Sequence, residues 1–128
     1  MGAEQKVVVI TGASQGIGAD LVKAYRDRNY RVVANSRSIK PSSDPDILVV
    51  PGDITDLATA RRIVSQSLAR FGRIDTLVNN AGIFIAKPFV DYTEEDFAKI
   101  FAVSVVAFFR LTRRVVPEML GAHRADHD

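Results

Sequence analysis

The hydrophobic pattern of this chain changes period several times, and each change marks an element. Residues 6–11, KVVVIT, set four β-branched aliphatic side chains in a row without polar alternation, as a strand buried on both faces requires. From Ile17 the spacing lengthens. Leu21, Val22 and Tyr25 share one face of a helix that ends near Asn29, a residue that tolerates a left-handed cap. RVVANS (31–36) predicts a second strand, the Pro/Ser/Asp segment SIKPSSDPD (38–46) a loop, and ILVV (47–50) a third strand. Asp56 has N-cap character before a helix through Leu57, Ala60, Ile63, Val64 and Leu68 that stops at Gly72. IDTLVNN (74–80) predicts a fourth strand. Thr93, with Asp96 three residues later, opens a further helix by a relative of the capping box, expected to run to about Leu120.

Four strands separated by helical segments give a βαβαβαβα order, and unalternating strands with short connections predict an α/β fold with a parallel sheet and helices on both faces. One domain over residues 1–120 accounts for the pattern, leaving a polar tail at 121–128. A chain of 128 residues buries roughly two-thirds of its unfolded surface. Apolar residues make up 47% and charged residues 25%, so disorder is excluded on composition. The net charge of +2 comes from scattered arginines, with no basic stripe for nucleic acid. No cysteine is present, which excludes disulfides and thiolate chemistry. The longest apolar run, IFAVSVVAFF (100–109), is far short of the roughly 20 residues that span a bilayer, and no secretory signal is visible. The expected location is the cytoplasm, with neither a membrane nor a nucleic acid as partner.

The segment TGASQGIG (11–18) joins the first strand to the first helix. Its Gly12-x3-Gly16-x-Gly18 spacing removes side chains where backbone must approach a pyrophosphate, and the helix N-terminus beside it offers unpaired N–H groups and partial positive charge. A tight turn with no ligand produces the same glycines, so the strand before and the helix after carry the phosphate reading.

TGASQGIG, then GDITD (52–56), then NNAG (79–82), then a helix ending VVPEML resemble, in order and spacing, the short-chain dehydrogenase/reductase family. The resemblance covers residues 6 to about 120 and implies the cofactor-binding half of a Rossmann-like, doubly wound sheet, truncated relative to the family. It implies a cofactor site at Gly12, Ser14, Gln15, Gly16, Ile17 and Gly18, in which the three glycines and the Ile17 backbone would hold the phosphates. Asp53 and Ile54 would meet the adenine edge, and Asn79, Ala81 and Gly82 would close the fourth strand against the ribose. At the end of the second strand stand Ser36 and Arg37 with no acidic residue, a combination that favours NADP(H) over NAD(H) because an arginine accepts the 2′-phosphate that an acid repels. Gln15 holds the place in the glycine loop where NADP(H)-binding members often carry a second basic residue.

The family's reaction, hydride transfer between NADP(H) and a carbonyl or alcohol, uses a tyrosine with a lysine four residues on and an upstream serine. Hydride transfer builds alkoxide charge, and an unassisted phenol is a poor proton partner at neutral pH. Of the three tyrosines, Tyr25 is followed four on by Asn29, Tyr30 by Ala34 and Tyr92 by Asp96. Ser104 stands at the family's helix asparagine, where a mid-helix serine also simply bonds its own backbone. No catalytic set is assigned. The segment that carries it in the family lies past residue 120 and is not in this sequence.

Both histidines lie in the tail, GAHRADHD, as His123 and His127. Four-residue spacing brings them together only on a continuous helix, whereas Gly121 reads as a helix stop, so a frayed end without metal is expected. The apolar helix containing residues 100–111 is expected to pack against a second copy, giving a homo-oligomer. Three functions stay open: a nucleotide-binding half of an oxidoreductase, catalytically incomplete alone; a non-catalytic interaction protein pairing with a full-length relative; and a reductase completed by another chain.

Overall fold

A computed structural model describes residues 5–81 and 87–127. Four parallel strands, β1 (Val7–Thr11), β2 (Arg31–Ser36), β3 (Ile47–Pro51) and β4 (Thr76–Val78), form one sheet in the order β3-β2-β1-β4. Helix α1 (Gly16–Asp27) follows β1, and α2 (Leu57–Phe71) links β3 to β4. A short 3₁₀ turn at Phe89–Asp91 precedes α3 (Glu94–Phe101), a wide-turn segment Ala102–Val106 and α4 (Ala107–His127). The fold is thus the expected doubly wound α/β sheet. The βαβαβαβα order fails at one step: β2 passes to β3 through the loop at 37–46 with no helix. Pro41 and Pro45 punctuate that loop, and Arg26 pins it by hydrogen bonds to Asp44 (2.8 Å) and Asp46 (3.3 Å).

The unalternating strands feed two cores. Val7 and Val9 of β1 join Val33, Val50, Ile63, Ile74, Leu111 and Val115 beneath α2 and α4. Val8 and Ile10 point to the other face, where Val32, Ala34, Leu21, Val22 and Tyr25 pack under α1. All four β1 aliphatics are fully buried, each contributing about 1.5–3 kcal/mol.

Helix ends follow local chemistry where local chemistry is strong. Asn29 takes φ 64° after α1, and Gly72 takes φ 79° after α2. Thr93 and Asp96 form a complete capping box, each side chain accepting the other's backbone N–H at 3.0 Å. Asp56 occupies the N-cap of α2, but its carboxylate makes no capping bond.

Two boundaries differ from expectation. β4 covers only 76–78 of the predicted 74–80, because Asn80 and Ala81 turn inward to donate their backbone N–H groups to Thr11 Oγ1 (3.0 and 2.9 Å). The helix expected to stop at Gly121 continues to His127, so the tail at 121–127 is helical. Buried Ala122 packs it down, and Asp126 accepts two hydrogen bonds from Arg73 (3.0 and 2.7 Å), a contact across 53 residues.

Candidate functional site: a cleft at the carboxyl ends of the strands

The strand order reverses between β1 and β4, and a crevice opens outside the carboxyl ends of a parallel sheet at such a point. A cleft of about 420 Å³ lies there, lined by Gly12, Ser14, Gln15, Asn35, Ser36, Arg37, Ser38, Gly52, Asp53, Ile54, Asn80, Ala81 and Val103.

The glycine turn is braced from beneath. A side chain at Gly18 would place its Cβ 1.8 Å from the Gly12 carbonyl oxygen, so only glycine lets α1 close against the turn. Gly12 itself takes φ 63°. Its carbonyl accepts from Asn80 Nδ2 at 3.1 Å, tying the turn to the end of β4. At Gly16 the opposite holds: beyond its chain neighbours and its own helix backbone, no atom of the described residues lies within 4 Å of where a Cβ would stand. Gln15 is the N-cap of α1, but its side chain makes no capping hydrogen bond among the described residues and the first turn of the helix holds no acid. Its leading N–H groups and the positive end of its dipole therefore face the cleft without a protein anion.

The opposite wall is acidic and then basic. Asp53 Oδ1 accepts from the Thr55 backbone N–H (2.9 Å) and hydroxyl (2.7 Å). The backbone bond, then the hydroxyl bond, hold this carboxyl below its ordinary value, and the charge of Arg37 adds to the effect. Asp53 Oδ2 has no hydrogen-bond partner among the described residues, nor does the exposed Arg37 guanidinium. Ser14 and Ser36 pair their hydroxyls at 2.7 Å across the cleft wall beside it.

Of the residues singled out from the sequence, Gly12, Ser14, Gln15, Ser36, Arg37, Asp53, Ile54 and Ala81 line this cleft. Gly16, Ile17 and Gly18 form the helix start beside it, Ile17 exposed and Gly18 buried. Asn79 and Ser104 line instead a smaller cavity of about 70 Å³ with Thr11, Val103, Ala107 and Phe108. Asn79 Nδ2 donates to Thr112 Oγ1 there at 3.3 Å. Ser104 sits in the wide-turn segment, a departure from regular helix that often accompanies function. Gly82 lies outside the described residues.

Sequence reasoning missed Thr11, Asn35 and Asn80. Asn35 is fully buried and donates to the Val50 and Gly52 carbonyls (2.9 and 3.2 Å), while its own carbonyl accepts from Ala13. It thereby joins the ends of β2 and β3 to the glycine turn. The available signal was a single amide inside an apolar strand, RVVANS, where an unpaired polar group would be costly. No described helix is long and apolar enough to cross a membrane, and no group of three or more metal-ligating side chains occurs among the described residues.

Fold and cleft together define the class: a Rossmann-type α/β domain with an open cleft at its topological switch point. The chain belongs to the short-chain dehydrogenase family, whose model, described as short chain dehydrogenase, matches residues 6–126. An uncharacterized oxidoreductase of Methylorubrum extorquens is 35% identical over 120 residues, covering 86% of this chain and 48% of the relative. Among solved structures, the 3-ketoacyl-(acyl-carrier-protein) reductase of Brucella melitensis, complexed with NADH, superposes with a TM-score of 0.82 at 31% identity, over 90% of this chain and 50% of that one. The L-sorbose reductase of Gluconobacter frateurii, complexed with NADPH and L-sorbose, gives 0.79 at 26% identity, over 94% and 50%. The chain spans about half the length of these relatives.

Proposed function

We propose that this chain seats an NADP(H) dinucleotide across the carboxyl ends of its strands, as the cofactor-binding half of a short-chain oxidoreductase. The observation that carries the reading is the uncapped start of α1, open at Gly16 and facing a cleft whose far wall holds Asp53 and Arg37. Backbone N–H groups of Gly16, Ile17 and Gly18 hold the pyrophosphate. Asp53 accepts from the adenine amine beside the Ile54 backbone, and Ala81 and Asn79 border the ribose. Ser14, Ser36 and Arg37 receive the 2′-phosphate, which is why NADP(H) is preferred to NAD(H). The bound nicotinamide would supply or accept hydride toward a carbonyl or alcohol.

The proton relay is not assigned to these 128 residues, since no tyrosine among them has a lysine four positions on. The chain alone is therefore expected to bind cofactor without turnover. NADPH should raise the melting temperature, more than NADH does, and Gly16→Asp should abolish the rise by setting an anion at the phosphate seat. No shift with either dinucleotide would overturn the cofactor reading. Steady NADPH oxidation with a carbonyl panel by purified protein, lost in Gly16→Asp, would overturn the incompleteness.

A second reading, pairing with another copy or with a complete relative, is favoured by the exposed apolar face of Phe97, Phe101, Val105, Phe108 and Phe109. Self-association through this face should appear as a dimer or larger species in sedimentation; a sharp monomer counts against it.

A further inference from the structure

We infer that the last turn of α4 is a two-imidazole chelate for one divalent transition-metal ion of the zinc, nickel or copper class. Because the helix runs through Gly121, His123 and His127 stand one turn apart on the same face, exposed, with ring centroids 4.4 Å apart and planes at 44°. A metal–imidazole bond of about 2.0–2.1 Å puts each ring centroid roughly 3 Å from the ion, so two rings on one ion stand roughly 4.5–5 Å apart. The ring centroids already stand close to that separation. Two histidines at this helical spacing share a metal in known helical sites, and imidazole suits these ions over calcium or magnesium.

The scaffold is fixed before an ion arrives. Buried Ala122 packs against the body of the protein, and Arg73 holds Asp126, between the two histidines in sequence, by a paired hydrogen bond. Neither imidazole is engaged in a hydrogen bond among the described residues, so both retain a nitrogen for the ion. Asp126 is spent on Arg73 and no group of three ligands forms among the described residues, so two protein nitrogens hold the ion and water completes its shell. Bound there, the ion staples residues 123 to 127 and stabilises the folded helix end.

The test titrates Zn²⁺ and, separately, Ni²⁺ into the untagged 128-residue protein by calorimetry near neutral pH in a non-coordinating buffer. It is repeated with His123→Gln and His127→Gln, whose exposed positions leave the fold intact by circular dichroism. One ion per chain is expected, with affinity falling roughly tenfold or more in either variant and the metal-induced rise in melting temperature lost. Absence of saturable binding, or equal binding by wild type and both variants, would overturn the site.

Discussion

The two ends of the sheet treat their polar groups in opposite ways. At the amino ends of the strands most charged groups are paired internally, although the buried Arg31 Nε has no hydrogen-bond partner and only an ion-pair contact to Asp46 at 3.5 Å. Arg73, 7% exposed, donates to both oxygens of Asp75 and both of Asp126. Asp75 also accepts from the Val7 N–H at 2.8 Å, and Arg26 binds Asp44, Asp46 and the Tyr30 carbonyl. At the carboxyl ends α1 starts without a cap, and neither Asp53 Oδ2 nor Arg37 has a hydrogen-bond partner among the described residues. A buried charge without partners is costly, so pairing at the amino end is the stable solution there. The carboxyl end leaves several donors and acceptors open, and its exposure to water keeps that arrangement inexpensive. On the proposed function, stability and recognition are thus separated along the strand axis.

The comparison breaks most severely at Arg73. Arg73→Ala strands Asp75 among backbone groups and releases the end of α4, and should cost about 3 kcal/mol in chemical denaturation. The NADPH-induced shift should survive at permissive temperature. Gly18→Ala tests the other end: the added Cβ forces Gly12 and Asn80 apart, costing about 2 kcal/mol and removing the cofactor response as well. A variant that loses stability but binds NADPH normally would show that the turn tolerates displacement.

Arg37→Ala sharpens the contrast without touching the core. It should weaken NADPH roughly tenfold in a binding titration, leave NADH within about twofold, and leave stability unchanged. Equal losses for both dinucleotides would remove Arg37 from 2′-phosphate recognition.

Acid should produce the smallest effect. Hydrogen bonding and charge from Arg73 hold Asp126 below its ordinary 3.8, and Arg26 does the same for Asp44. A depressed carboxyl contributes stability that is fully present above the unfolded value and is lost as pH falls through the folded one. Melting temperature should therefore stay level down to about pH 4 and decline below it. Arg73→Ala should flatten the part of that decline due to Asp126.

Much of this was legible residue by residue. The valine run of β1 could only be a strand covered on both faces, Asn29 and Gly72 ended helices and the Thr93–Asp96 box opened one, all by chemistry within a few residues. The glycines marked the turn, and most residues chosen around it do line one cleft. Asn35 and Thr11 escaped because their roles depend on which carbonyl or amide a distant strand presents. The loop read at 38–46 is present, but its consequence, a crossover without a helix, was not carried into the element order.

The sequence by itself determined period, caps and the glycine turn, because these rest on contacts within one or two helical turns or on the pleat of a single strand. Only the tertiary structure decided where β4 ends and how far α4 runs. Thr11 captures the backbone after β4 from 69 residues away, and Arg73 holds Asp126 from 53. Such contacts are worth as much as a local stop signal, and no window of sequence contains both partners.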